Sequence, residues 1–479
     1  MRNAECQGER RAPSDLSLQF RIPHSTLRIW FRAVSAWASE AVAAALGVSG
    51  PPGLRFTGVE TDTRQLTPGA LFVALKGDRF DAHDFLAQAQ AHGAAAAVVR
   101  RGTALVDGLP LFEVADTLVA LGQLGRARRR QLPRGSPVVA VTGSSGKTST
   151  KEMIRAVLAT SYRVHATGGN LNNLVGVPLT LLAAPDDATA LVVEAGASIP
   201  GEIARLREVI EPTIAVITNV GYAHVEGFGS LAGVMQEKLT LVDGARLAVV
   251  GTDPPELARE ARRRAPTVVA GTGPAADLRP DSAELDDDGH PRLTWRGHTV
   301  TIPVLGYHQM ENAMLALAVG RDAGTEPARA VASLGAVQLP GGRGAVLSLG
   351  GLTVIDDTYN ANPGSLHWAV QLAHWLATRR QRPLAVVVGS MLELGPESAR
   401  LHAAAAAEIA ALEPALVAAV GEFVPAFEPY RTALGERLLT AADAESLGPK
   451  LRAALRGQEV VLLKASHGVA LERVLRYLN

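Results

Sequence analysis

At 479 residues the chain is long enough for two or three domains with separate cores, and 47% hydrophobic with 20% charged residues is a globular composition. The 47 Lys+Arg balance the 47 Asp+Glu, so no global field draws the chain to nucleic acid or to an anionic membrane, and any anion site has to be local. The single cysteine, Cys6, excludes an internal disulfide or a zinc cluster and fits a reducing, cytoplasmic setting, and no apolar run approaches the roughly 20 residues of a membrane span.

Residues 1–34 carry Arg2, Arg10, Arg11, Arg21, Arg28 and Arg32, followed by an apolar run too short for a signal peptide. That segment reads as a disordered extension or an upstream start. A first block, 35–135, combines a helical stretch at 37–46 with short strands at 71–75 and 95–99, punctuated by Gly, Pro and Asp. The basic segment 126–137 reads as its exit linker and as a hinge.

The second block, 136–338, opens with the apolar β-type run 137–141. Buried-strand candidates follow at 190–193, 214–218 and 247–250, each ending in a polar or glycine-rich loop. Apolar strands alternating with helices predict a parallel sheet covered on both faces. The more polar stretch 279–302 predicts a small antiparallel addition, and a second hinge is expected near 338–343.

In the third block, 339–479, strands at 352–355, 384–388, 416–420 and 460–463 alternate with helices at 365–378, 398–411, 444–456 and 469–477. This predicts a Rossmann-like unit. It lacks Gly-x-Gly-x-x-Gly after its first strand, so bound NAD is not expected. The fold class is therefore α/β in three domains.

The strongest chemical signal is VVAVTGSSGKTST, residues 138–150. A strand feeds a tight glycine turn and a helix begins at Lys147-Thr148. Small residues let backbone N–H groups face phosphate oxygens. Lys147 would reach the β- and γ-phosphates and Thr148 would ligate Mg²⁺. Gly143 stands two positions later than the first glycine of the common eight-residue pattern, so the loop is a shortened P-loop. Such a loop alone does not choose among kinase, switch, motor and ligase. Glu194 closes an apolar strand, where a parallel sheet presents ligand-binding groups. His308 and Asn312 lie one helical turn apart on one face. Lys238, read by itself, would be a lysine on a solvated helix face.

The loop TGSSGKTS resembles the ATP loop of the Mur ligase family. So, in order, do TDTR (61–64), GNLNN (169–173), VVEAG (192–196), ITNVGYAHVEGFGS (217–230), YHQMENA (307–313), DDTYNANPGS (356–365) and GSMLELG (389–395). Within that family the Asn-Leu-Asn-Asn and Tyr-Asn-Ala-Asn-Pro stretches look like the branch that adds D-alanyl-D-alanine. The resemblance implies an ATP-dependent ligase acting on a UDP-N-acetylmuramoyl-tripeptide through an acyl phosphate, as a monomer without nucleic-acid or membrane partners.

It also implies site roles. Thr142, Gly143, Ser144, Ser145, Gly146, Lys147, Thr148 and Ser149 would hold ATP, with Asn312 at the adenine, Asp357 near the ribose and Arg343 at a phosphate. Thr148, Glu194, His224 and a carbamate of Lys238 would hold Mg²⁺, with two sites expected. Lys147, Lys238, His224, Glu194 and Arg343 form the catalytic set. Asp62, Thr63, Arg64 and His83 would face the UDP diphosphate. Asn170, Asn172 and Asn173 would meet the muramoyl peptide, and Tyr359, Asn360, Asn362, Lys464 and Ser466 the incoming dipeptide.

The chain departs from the family pattern at Thr240, Gln309, Ser390 and His467. The last puts an imidazole where the family has an arginine fork. A sibling or folate-polyglutamate ligase, and an ATP-binding homologue without activity, are the alternatives.

Overall fold

The computed structural model describes residues 37–77 and 80–478; the arginine-rich segment and Cys6 lie outside them. The chain divides into a compact unit ending at Gln123 and another beginning at Leu124.

In the first unit four short parallel strands, Val59–Glu60, Leu71–Val73, Ala96–Arg100 and Leu111–Val114, pair in sequence order. Parallel strands put their carboxyl ends at one edge, so the loop 61–64 and the segment carrying His83 emerge on the same side. Phe72, Leu86, Val99 and Leu109 belong to the buried cluster beneath. The expected helix at 37–46 is shorter. Trp37–Ala38 is a strand paired antiparallel with Arg55–Phe56, and the helix is Ser39–Leu46. Ser39 explains the break: its N–H donates to Leu54 O and its hydroxyl accepts from Leu54 N–H, fixing the chain to a partner strand before the helix starts.

The second unit holds two six-stranded sheets. In the first, all parallel, the order is Thr267–Val269, Leu247–Val250, Ile214–Ile217, Val138–Thr142, Ala190–Glu194, Val164–Ala166. Val138–Thr142 is central and has Ile214–Ile217 and Ala190–Glu194 as its neighbours. The loops leaving these three strands therefore converge, and the glycine loop lies among them. Met153, Ile154 and Val157 of the helix Lys147–Leu158 pack into one core with Met314 and Leu317 of the helix His308–Asp322. The stretch 279–302 forms the expected antiparallel addition, strands Ser282–Leu285, Pro291–Trp295 and His298–Thr301.

The other sheet runs Ala345–Leu349, Leu352–Asp356, Val460–Lys464, Leu384–Val388, Leu416–Val420, Leu438–Ala441. Its first pair is an antiparallel hairpin and the rest is parallel. The hairpin turns at Gly350-Gly351. A Cβ on Gly351 would stand 2.4 Å from the carbonyl oxygen of Gly457, so only glycine fits.

Two expectations need correction. The helix expected at 469–477 is a pair of 3₁₀ segments, His467–Val469 and Leu471–Tyr477, broken by Ala470 in the left-handed region at φ 55°. The basic segment expected as a linker is tied down at its start. Arg126–Arg129 end the helix Thr117–Arg129. Arg126 and Arg130 pair with Glu211, Arg128 bonds Ala184 O and Asp186, and Arg129 donates to Ile210 O and Glu211 O. The helix Glu202–Ile210 ends there, and its last carbonyls need donors.

Candidate active site at the glycine loop

The loop is shaped by its contacts as much as by its glycines. Gly146 sits at φ 78° as the residue before the helix, and a Cβ there would be 2.7 Å from Asn312 Oδ1. A Cβ on Gly143 would collide with Thr218 Oγ1. Ser144 N–H donates to Asn219 O, Ser145 N–H donates to Asn219 Oδ1, and the Thr218 hydroxyl donates to Ser145 O. The Ser144 hydroxyl bonds Gly221, and Ser144 O accepts from Asn362 Nδ2 of the other sheet's domain at 3.2 Å. The Thr142 hydroxyl at the strand's end is buried without a hydrogen-bond partner among the described residues, and Ser149 is buried on the helix.

Lys147 folds back, its Nζ 2.8 Å from Gly143 O. Burial pushes its pKa down, the Glu194 carboxylate opposes that, and the Arg343 charge adds to it. Lys238 is not on a solvated face: it is 2% exposed on the helix Leu231–Leu239. Burial pushes it down to about 7, the Lys147 charge acts the same way, and Glu237 opposes. Glu237 is itself spent on the start of the helix Glu202–Ile210, accepting from Gly201 N–H and Ile203 N–H. Lys147 thus feels the charges of Arg343 and Lys238 as well as that of Glu194, a local concentration of basic groups at a loop whose backbone N–H groups suit phosphate.

Glu194 is 3% exposed and ends its strand as expected. Its Oε2 accepts from the Thr148 hydroxyl and its Oε1 from Asn172 Nδ2, both at 2.9 Å. Asn173 Oδ1 accepts from Val175 and Gly176 N–H just before the helix Gly176–Leu182, while Asn170 O accepts from Asn172 N–H. His224, in the left-handed region at φ 56°, directs Nδ1 at Glu393, a residue of the other sheet's domain. Among the described residues no three His, Cys, Asp or Glu side chains gather as a metal cage. The hydroxyl–carboxylate pair Thr148–Glu194 is nevertheless a hard oxygen donor set that suits Mg²⁺ completed by phosphate and water.

Asn312 is buried behind the loop, where its Oδ1 accepts from the Thr150 hydroxyl and its Nδ2 donates to Gln309 Oε1. His308, one turn earlier, is kept neutral: burial and the nearby Lys464 charge push it down to about 4. Lys464 is 2% exposed and donates to Asp357 Oδ2 and to Asn360 O. Burial pushes Asp357 up, and Lys464 pulls it back. The Ser466 hydroxyl bridges Leu392 N–H and Ala361 O. Asn362 caps the helix Pro363–Arg379 in a box with Ser365. Asn360 Oδ1 accepts from Ala361 N–H. Arg343 lies with its guanidinium 3.7 Å from the centre of the Tyr359 ring, whose other neighbour is the His467 ring at 5.9 Å.

In the first unit, Asp62 clamps Arg64 through Nε and Nη2, and the Thr63 hydroxyl bonds Gln88. His83 Nε2 accepts from Arg100 N–H, so Nδ1 carries the proton and donates to Asp81 at 2.5 Å. A cavity of about 400 Å³ opens beside it, lined also by Arg101 and Thr103.

Asn219 and Glu393 carry parts of the site that sequence reasoning quoted inside motifs without singling out. Asn219 stands two residues past the end of the strand Ile214–Ile217, a position from which it could have been found. Glu393 reaches His224 across 169 residues of sequence (393 − 224), which no local pattern reveals.

The chain is similar along most of its length to known proteins. Residues 141–320 match the family described as Mur ligase middle domain. Residues 342–467 match the Mur ligase glutamate ligase domain, and 55–128 match the Mur ligase family catalytic domain. The chain is 36% identical over 431 residues to a UDP-N-acetylmuramoyl-tripeptide--D-alanyl-D-alanine ligase of Bacillus subtilis, covering 88% of this chain and 92% of that protein. It is 37% identical over 438 residues to the Escherichia coli protein of the same name, covering 88% and 93%. A crystal structure of MurF from Acinetobacter baumannii superposes with a TM-score of 0.84 at 30% identity, covering 93% of this chain and 99% of that one. A MurF ligase from Thermotoga maritima in complex with ADP superposes with 0.77 at 29% identity, covering 88% and 96%. With family matches along most of its length and relatives of this identity and coverage, the chain belongs to the Mur ligase family.

Proposed function

We propose that this protein joins D-alanyl-D-alanine to a UDP-N-acetylmuramoyl-tripeptide at the expense of ATP, giving the pentapeptide precursor of peptidoglycan. The observation that carries the chemistry is the gathering of Lys147, Arg343 and Lys238 around a glycine loop beside the Thr148–Glu194 pair. The relatives' shared name supports the choice of substrates.

The tripeptide's terminal carboxylate attacks the γ-phosphorus of ATP, an acyl phosphate forms and ADP leaves. The amine of the dipeptide then attacks the acyl carbon, and the tetrahedral intermediate collapses to amide and phosphate. The nucleophiles belong to the substrates, so no serine or cysteine of the chain is required. Backbone N–H groups of 143–149 cradle the phosphates, and Lys147 and Arg343 offset charge on the transferred group, as phosphoryl transfer demands. Asn312 braces the loop from behind and lies toward the adenine, while Asp357, held by Lys464, lies toward the ribose. Mg²⁺ held by Thr148 and Glu194 would add Lewis-acid charge at the phosphate oxygens. A carbamate formed on Lys238 would, with His224, provide oxygen and imidazole donors for a second ion.

We assign Asp62, Thr63, Arg64 and His83 to the UDP moiety and Asn170, Asn172 and Asn173 to the muramoyl peptide. Asn360, Asn362, Lys464 and Ser466 shape the dipeptide site, largely by holding its loop. Among the described residues no helix is long and apolar enough to cross a membrane; we place the enzyme in the cytoplasm as a monomer.

The test is phosphate release from ATP with UDP-tripeptide, with and without D-alanyl-D-alanine, and mass detection of the pentapeptide. Lys147→Ala is expected to abolish release. ATP consumption by the wild type without pentapeptide would overturn the substrate assignment.

A further inference from the structure

Arg343 is a cation whose position needs explaining. It lies on the segment between the two sheets of the second unit, and its Nε is buried without a hydrogen-bond partner among the described residues. Among the described residues it forms no ion pair. Its charge nevertheless bears on both Lys147 and Asp357, so it lies near both the glycine loop and the loop that follows the strand Leu352–Asp356.

What holds it is Tyr359. The guanidinium carbon is 3.7 Å from the ring centroid, in van der Waals contact with the π face. The backbone reinforces the ring: Tyr359 N–H donates to Gly342 O at 2.9 Å, joining the two loops next to Arg343. Gly342 makes that approach possible, since its φ is 72° and a Cβ would come 3.2 Å from Tyr359 N. The His467 imidazole also neighbours the ring, tilted by 31° with its centroid at 5.9 Å. The phenol hydroxyl of Tyr359 makes no hydrogen bond among the described residues. The face of the ring is what Tyr359 gives to Arg343.

We propose that Tyr359 is a positioning residue for the phosphoryl-transfer step, its ring carrying the Arg343 guanidinium toward the glycine loop, rather than a contact for the incoming dipeptide. His467 neighbours the same ring. An arginine there would bring a second permanent charge to the same ring. The proposal rests on reading the chain as an ATP-dependent ligase, and it assigns specificity for the dipeptide to other residues of the same loop.

The experiment compares Tyr359→Phe, Tyr359→Leu, Arg343→Ala and the Tyr359→Leu/Arg343→Ala double variant in the ligation assay. Melting curves identify variants that fold. Tyr359→Phe is expected to stay within about twofold of wild type. Tyr359→Leu is expected to lose at least tenfold in kcat with KM for D-alanyl-D-alanine within about twofold, and the double variant to lose no more than Arg343→Ala alone. A raised dipeptide KM with kcat intact in Tyr359→Leu or Tyr359→Phe would overturn the proposal, as would additive losses in the double variant.

A second readout needs no ligation. The preference for a non-hydrolysable ATP analogue over ADP is expected to fall severalfold in both Tyr359→Leu and Arg343→Ala, and an unchanged preference in Tyr359→Leu overturns the proposal. If the wild type makes no pentapeptide, the ligase reading fails while this affinity ratio still decides the role of the ring.

Discussion

Single side chains in this protein are governed by what they lose on leaving water. Glu60 ends a strand in the first unit, and burial, assisted by the Asp62 charge, raises its pKa to about 7. A carboxyl whose folded pKa lies above its unfolded value binds an extra proton in the folded state between those values. Its contribution is therefore intact below pH about 4.5 and is lost as pH rises through 7. Glu60→Gln is expected to melt higher than wild type at pH 8, by roughly 1–3 kcal/mol at 1.36 per pKa unit, with the gap closing toward pH 4.5. Equal melting profiles across that range would refute the shift.

Lys238 presents the opposite sign. Its depression to about 7 leaves much of the amine neutral near physiological pH, the form that can add CO₂. Incubation with ¹³C-bicarbonate at pH 8 is expected to give a carbamate resonance that Lys238→Met lacks; a resonance persisting in that variant would place the carbamate elsewhere.

At the scale of elements, helix ends are closed by groups from distant segments. The helix Glu202–Ile210 receives Glu237 at its start and Arg129 at its end. Arg129 donates to two carbonyls that otherwise lack a helical partner. Arg129→Ala is expected to cost about 1–2 kcal/mol, read as a lower urea midpoint at unchanged slope. A loss confined to a changed slope would point to the unfolded chain instead. The same physics explains why the basic segment after residue 125 misleads as sequence. Arginines and a proline look like a solvated connector until the carbonyls they satisfy are known. Likewise, the run at 469–477 has a helical pattern, but the left-handed Ala470 interrupts it.

Across the second unit, the two sheets meet at the glycine loop. Asn362 donates to Ser144 O, Glu393 pairs with His224, and Arg379 and Arg380 pair with Asp287 and Asp288. The last two pairs are exposed, and each adds on the order of 0–1 kcal/mol; the contacts at the loop matter more for coupling. A nucleotide bound to the folded state at 100 times its Kd adds about 2.7 kcal/mol. Addition of a non-hydrolysable ATP analogue is therefore expected to slow amide exchange both in 143–149 and in 357–362, and to do neither in Lys147→Ala. Protection confined to the first segment would mean that the second sheet does not sense the nucleotide.

The sequence by itself determined the longer buried strands, the glycine loop and the order of the motifs, but not short strands such as Val59–Glu60, Val164–Ala166 or Leu438–Ala441. Period, apolar run length and turn residues are local properties, and Val138–Thr142, Leu247–Val250, Leu384–Val388 and Leu416–Val420 needed nothing else. It also determined the chemical types available at the site: a lysine and threonine after a glycine turn, and a glutamate at a strand's end. Only the tertiary structure decided which groups share the space. It buried Lys238, gave Glu194 to Thr148 and Asn172, turned Glu393 toward His224, and laid Arg343 on Tyr359. The reason is that desolvation and charge act through distance in space, and residues far apart in sequence meet only when the sheets have formed and brought their carboxyl ends together.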